Sequence, residues 1–281
     1  MRARSFMAGA AAMLVSACAP APAKQQSDGF ADEVKAPLIV SLNPCADAIL
    51  AGISPSHLIA VSHYSHDPRS SSMDVATARL FPAISDSAEE IAAFAPDVVV
   101  AGTFLPPATE QALARMGFRV VKTGSIASVD DARAQVRALA ALTRQEAAGE
   151  AMIARMDRAL ATAAPLPGDT VVPAMIWQGG GIVPGEETLI SDLLVRTGFR
   201  NFSAGRGLGQ GAIVPLEDVL ADPPRVLMVA GDGRMMEHPS LAALASGTRR
   251  VAFDPRLTFC GGPTIEKAAL RLAAIRRDLP R

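Results

Sequence analysis

From residue 38 onward, apolar side chains recur in two rhythms that alternate along the chain. Short β-branched runs at 38–42, 58–61, 98–101, 119–121, 171–177, 226–230 and 251–253 predict strands. Between them, apolar residues at three- and four-residue spacing predict helices over 46–52, 89–94, 107–116, 188–197, 216–221, 241–246 and 264–279. Asn43-Pro44 stops the first strand, and Gly117 ends the helix that starts at Pro107.

One stretch departs from this rhythm by its length. Val129, Ala132, Val136, Leu139 and Thr143 form an apolar stripe, and Met152, Met156 and Leu160 continue it past Gly149. The pattern predicts one uninterrupted helix over 128–163, roughly 50 Å long at about 1.5 Å per residue. A crossover helix inside a parallel sheet needs about a third of that, so this one joins two bodies. The expected fold class is α/β: two α/β lobes with mostly parallel sheets, over 38–127 and 165–281, joined by a single long α-helix over 128–164. A rigid strut between two lobes implies a cleft.

The first residues have a different character. Arg2 and Arg4 precede an apolar run over 6–15, so residues 1–17 read as a secretory leader, too short to span a bilayer as a helix. Val15-Ser16-Ala17-Cys18 fits the lipobox pattern, in which the leader is cut before a lipidated cysteine; ordinary cleavage near Ala19, leaving Cys18 free, is the alternative. Residues 18–37, rich in Ala, Pro, Gln, Ser and Lys, suit a flexible tether from membrane to folded body. Both cleavage routes export the protein, and the lipidated form would sit in the periplasm, anchored at Cys18. Without Arg2 and Arg4 the chain carries about 25 basic against 28 acidic side chains. No basic surplus remains to attract nucleic acid.

In parallel α/β sheets, ligands gather beyond the carboxyl ends of the strands. The loops there carry Asn43, Cys45, His63, Tyr64, His66, Thr103, Trp177, Arg234 and Cys260. The two thiols and two imidazoles, Cys45, His63, His66 and Cys260, could bind a metal directly or approach a metal chelate. Solvated or capping imidazoles and packed cysteines are the plainer alternative. In an oxidising compartment Cys45 and Cys260 invite a disulfide, but they fall in opposite lobes, where a bridge would staple the cleft; the expectation is against it. Trp177 is a natural ligand platform at a strand end, with a core position as its alternative. Arg69 and Arg234 could pair with ligand carboxylates. No Walker loop, nucleophile elbow or spaced His/Glu zinc motif is present, which leaves an exported α/β hydrolase as a remote alternative to a receptor.

Several segments together resemble the periplasmic substrate-binding proteins of iron-chelate and vitamin B12 ABC transporters. They are Ile39-Val40-Ser41-Leu42-Asn43-Pro44, the stretch from Ser87 through Glu89-Glu90-Ile91 to Ala95-Pro96-Asp97-Val98-Val99, the long central helix, and Val214-Pro215-Leu216-Glu217 running on to Pro223-Pro224-Arg225-Val226-Leu227. The resemblance covers about residues 38–281 and implies a receptor with little hinge closure that delivers a ferric siderophore, haem or cobalamin-like corrinoid to an ABC permease. It needs no cofactor of its own. It also implies a permease-docking glutamate on each lobe, which by position are Glu89, with Glu90 as alternative, and Glu217. Aromatic residues that would surround a corrinoid are sparse, Phe81 and Trp177 being the evident ones. A free transition-metal receptor using the Cys/His set is the competing function.

Overall fold

The computed structural model describes residues 35–279, with the backbone alone at 243, 245 and 246. The leader, Cys18 and nearly all of the tether lie outside those residues. Among them, no helix is long and apolar enough to cross a membrane.

The first half runs β1 (Ile39–Ser41), α1 (Pro44–Ile53), β2 (Leu58–Ser62), α2 (Val75–Ala78), β3 (Ala83–Ile84), α3 (Ala88–Ala93), β4 (Val98–Gly102), α4 (Pro107–Arg115) and β5 (Arg119–Thr123). Its strands form a five-stranded sheet in the order β3-β2-β1-β4-β5, with every pairing parallel. After α5 (Val129–Thr143) and α6 (Glu146–Ala163) come β6 (Val172–Gln178), β7 (Ile182–Val183), α7 (Leu189–Arg196), β8 (Phe199–Asn201), β9 (Ala212–Ile213), α8 (Leu216–Ala221), β10 (Val226–Ala230), β11 (Arg249–Ala252) and α9 (Pro263–Arg277). A second parallel sheet has the order β11-β10-β6-β8, and β7 pairs antiparallel with β9 beside it. The two α/β lobes with parallel sheets are therefore as expected.

The single long helix is not. Thr143 is followed by Arg144 in the left-handed region, φ 56°, which ends α5, and Gln145 N–H donates back to the Ala140 carbonyl at 2.8 Å. The chain then reverses into α6, which lies against α5 as a hairpin. Gly149 lets the two helices meet, since a Cβ there would stand 2.6 Å from the Ala140 Cβ. On the outer side Arg133 bridges Asp130 and Asp157, and Arg137 meets Glu150 at 2.6 Å. The apolar stripe that looked continuous is two stripes facing one core from two helices. Left-handed backbone at a non-glycine residue leaves little local trace, so the break is invisible to periodicity alone.

The hairpin does not hold the lobes apart. Ile39, Ile49 and Val98 from the first sheet and its helix, Met152 and Met156 from α6, and Ile176, Phe199 and Leu272 from the second half belong to one buried apolar cluster. Each sheet also covers its other face: Val40, Val99 and Ile91 pack together in the first lobe, and Met175, Trp177 and Val229 in the second. Strands buried on both faces explain the near-continuous apolar runs in the sequence.

Candidate functional site

The carboxyl ends of both sheets open on one cleft of about 640 Å³. From the first half it receives Asn43, Tyr64, Thr103 and Phe104; from the second, Gln178, Pro184, Glu187 and Phe259. Asn43 is the N-cap of α1, its Oδ1 accepting the Cys45 N–H at 2.8 Å, while its Nδ2 donates to Thr123 Oγ1 at 3.2 Å. With both ends of the amide engaged, Asn43 ties the exits of β1 and β5 into one rim.

Tyr64 sits on the short turn His63–His66 that leaves β2, half-exposed to the cleft. That turn is held from below by Asp47 of α1, whose Oδ2 accepts the Ser62 N–H at 2.9 Å and the Ser65 hydroxyl at 2.7 Å. Asp47 is wholly buried, and desolvation outweighs these hydrogen bonds, pushing its carboxyl up to about 8. It is thus neutral at pH 7. Its Oδ1 and Ser41 Oγ are buried with no other partner, and a proton on Oδ1 donated to Ser41 satisfies both.

The two imidazoles belong to the same scaffold. His66 Nε2 donates to the carbonyls of Ala78 and Phe81, each at 3.1 Å, and His63 Nδ1 donates to the Ile84 carbonyl at 3.3 Å. Neither ring lines the cleft. Cys45 and Cys260, expected to be separate, form a disulfide with their Cα atoms 5.1 Å apart. The segment leading into α9 reaches beneath α1 because Gly261 and Gly262 carry no Cβ: one at Gly262, where φ is +62°, would strike Ile49 at 2.6 Å, and one at Gly261 would strike Ile126 at 2.7 Å. Thr264 Oγ1 then donates to the Ser72 carbonyl at 3.3 Å. The Cys/His metal set is thereby overturned, since both sulfurs are bonded and, among the described residues, no group of three or more His, Cys, Asp or Glu is placed to hold a metal. Cys45 still borders the cleft, whereas Cys260 is buried beneath it.

Other expectations shift as well. Trp177 is fully buried and donates its indole N–H to the Val214 carbonyl at 2.9 Å, so it is a core residue and no platform. Phe81 packs half-buried against the main core, and Arg234 and Arg69 are exposed outside the cleft, Arg69 beside Asp67 at 3.5 Å. The aromatic surface of the cleft comes instead from Tyr64 with Phe104 and Phe259, neither of which was picked out from sequence. Phe104 is 92 % exposed and Phe259 46 %. Their signal was position: each adjoins a residue already assigned to a strand-exit loop, Thr103 and Cys260.

Glu89 and Glu217 each occupy the second residue of a short helix, α3 and α8, and both are exposed. Glu89's own backbone N–H, then the Ser87 hydroxyl at 2.8 Å, hold its carboxyl below the usual range. Glu90 instead folds back onto Ser85, accepting from its N–H at 3.2 Å and from its hydroxyl.

A model of the family described as Periplasmic binding protein matches residues 39–247. The chain belongs to this family. Its members are binding proteins, so this periplasmic binding protein is a receptor and not an enzyme. Among solved structures it is similar to the periplasmic heme-binding protein RhuT from Roseiflexus sp. RS-1 in apo form, with 22 % identity over 84 % of this chain and 96 % of that one and a TM-score of 0.67. The periplasmic heme binding protein HutB of Vibrio cholerae has a TM-score of 0.69 at 16 % identity, covering 85 % and 98 %. The periplasmic vitamin B12 binding protein BtuF of Vibrio cholerae has 0.64 at 17 %, covering 87 % and 99 %. At these identities the likeness is one of fold. No curated protein matches the chain by sequence.

Proposed function

We propose that this periplasmic binding protein captures a metal chelate, a ferric siderophore, haem or corrinoid, in the cleft between its sheets and delivers it to an ABC permease from an anchor at lipidated Cys18. The observation that carries the ligand class is the rim of three exposed aromatic rings, Tyr64, Phe104 and Phe259, contributed from both halves around about 640 Å³. A phenyl ring left 92 % in water has no structural use at Phe104, and facing rings suit a flat or apolar chelate surface. The likeness in fold to proteins named for haem and vitamin B12 supports the same class.

Titrating the purified protein with haemin, a cobinamide and a ferric trihydroxamate tests this. One of them should bind at micromolar concentration or below, raising the melting temperature and changing its own visible spectrum. Failure of all three would overturn the ligand class. Trp177, being buried, should report binding only weakly.

Docking to the permease falls to Glu89 and Glu217, which hold equivalent helix positions in the two lobes, while Glu90 is engaged by Ser85. Glu89→Arg combined with Glu217→Arg should abolish transporter-dependent uptake with chelate affinity unchanged. Normal uptake by the double variant would refute the assignment.

A further inference from the structure

We infer that the cleft is built for a chelate whose periphery offers N–H donors, such as carboxamides, and that Asp86 and Glu187 exclude chelates rimmed by carboxylates. This rests on the receptor function proposed above and narrows its ligand.

Among the described residues that line the cleft there is no Lys, Arg or His, and the charged ones are Asp86 and Glu187 alone. Asp86 comes from the segment between β3 and α3, Glu187 from the turn before α7, so the two lobes each contribute one carboxylate. Neither forms an ion pair or side-chain hydrogen bond with a described residue. The cations nearest in sequence are committed elsewhere: Lys122, next to the lining Thr123, meets Glu110 at 2.6 Å, and Arg256, two residues before Thr258, is clamped by Asp254 at 2.6 Å.

The neutral Gln135 adds no cation. Gln135 of α5 lines the cleft and donates its Nε2 to the Gly124 carbonyl at 3.4 Å, which fixes the orientation of its amide. Its Oε1 is buried with no partner. An oxygen shielded to that degree is out of a ligand's reach, so the charged acceptors the cleft offers are Asp86 and Glu187.

Helix N-termini beside the cleft could offset the negative charge, since their free N–H groups attract anions. Those of α1, α7 and α5 are engaged from within, whereas α4, which follows the lining Leu105, has no side-chain cap. Asn43 caps α1, Thr188 Oγ1 accepts the Ser191 N–H of α7 at 3.3 Å, and in α5 Val129 N–H donates to Asp192 at 2.8 Å and Asp131 N–H to Ser128 at 3.1 Å. A carboxylate on the ligand would therefore enter a site with two carboxylates and no cation among its described lining residues. A carboxamide would meet two carboxylate acceptors, with the aromatic rims left to cover the ring face.

The test is a matched pair: one corrinoid carrying carboxamides and the same ring system hydrolysed to carboxylates, with haemin as an independent carboxylate-bearing macrocycle. The carboxamide form should bind at least about tenfold more tightly, the scale of one or two partly screened like-charge contacts. Raising ionic strength should narrow that ratio by improving carboxylate binding. Asp86→Asn with Glu187→Gln, two solvent-facing changes, should narrow it further while leaving the melting temperature of the unliganded protein within about 2 °C, the scale of a neutral surface change. If the carboxylate form or haemin binds as tightly as the carboxamide form, this inference falls and the receptor function stands. If no chelate of either charge binds, the receptor function falls first and takes the inference with it.

Discussion

In the first lobe the buried polar side chain that ties a strand-exit loop to its scaffold is Asp47; in the second the same task falls to Asn201. Asp47 holds the turn bearing Tyr64 through Ser62 and Ser65. Asn201, at the end of β8, donates to the carbonyls of Pro184 and Gly185 and to Ser191 Oγ at 3.1–3.2 Å, and accepts the N–H groups of Ser203 and Ala204 at 3.0 and 3.3 Å. An amide carries donors and acceptors without a proton to gain or lose. A carboxyl in the same role must be protonated to donate, so the first lobe pairs its loop geometry with pH and the second does not.

The largest effect expected on this comparison is from the bond that joins the two halves. Cys45→Ser with Cys260→Ser, or reduction, should lower stability by about 2–5 kcal/mol, because the bridge closes a loop of most of the chain in the unfolded state. The melting temperature should fall by about 5–15 °C. An unchanged melt would mean that the shared apolar core alone holds the halves together.

Next comes Asn201→Ala, which strands two buried N–H groups and two carbonyls. A loss of about 2–4 kcal/mol is expected, independent of pH between 5 and 9 in chemical denaturation, and a pH-dependent loss would break the contrast between the lobes.

Smallest in acid is Asp47→Asn. Its amide can keep an oxygen toward Ser62 and Ser65 and place a donor toward Ser41, so stability below about pH 4, where the carboxyl is neutral both folded and unfolded, should stay within about 1 kcal/mol of the parent. Its signature lies in the pH profile. The folded value of about 8 stands above the ordinary 3.8, so between them the folded state binds the extra proton. Stability from Asp47 is fully present below about pH 4 and declines as pH rises through about 8, with a slope of up to about 1.4 kcal/mol per pH unit. Asp47→Asn should remove that slope, and an unchanged profile would show that Asp47 is not the titrating group.

Much of the fold was legible from local pattern. Apart from the helix over 128–163, which is two, each predicted strand and helix has its counterpart, because the central strands are covered on both faces and apolar, a signal carried within a few residues. The site was legible only in outline. The strand-exit loops named Asn43, Cys45, Tyr64 and Thr103 among the residues lining the cleft, yet the same rule also offered Trp177, which alternation along β6 turns inward with Met175 while Ala174 and Ile176 face the other core. Phe104 and Phe259 went unremarked because a loop has no periodicity from which a side chain's direction can be read.

By itself, then, the sequence determined the order of strands and helices, the parallel character of both sheets and the equivalent helix-start positions of Glu89 and Glu217. These depend on spacing and composition within single segments. Tertiary structure alone decided that residues 129–163 fold as a hairpin, that Cys260 reaches Cys45, that burial raises the Asp47 carboxyl, and that Asp86, Glu187 and three aromatic rings share one cleft. Each of those depends on which distant segments meet, and burial, charge and reactivity take their values from that meeting.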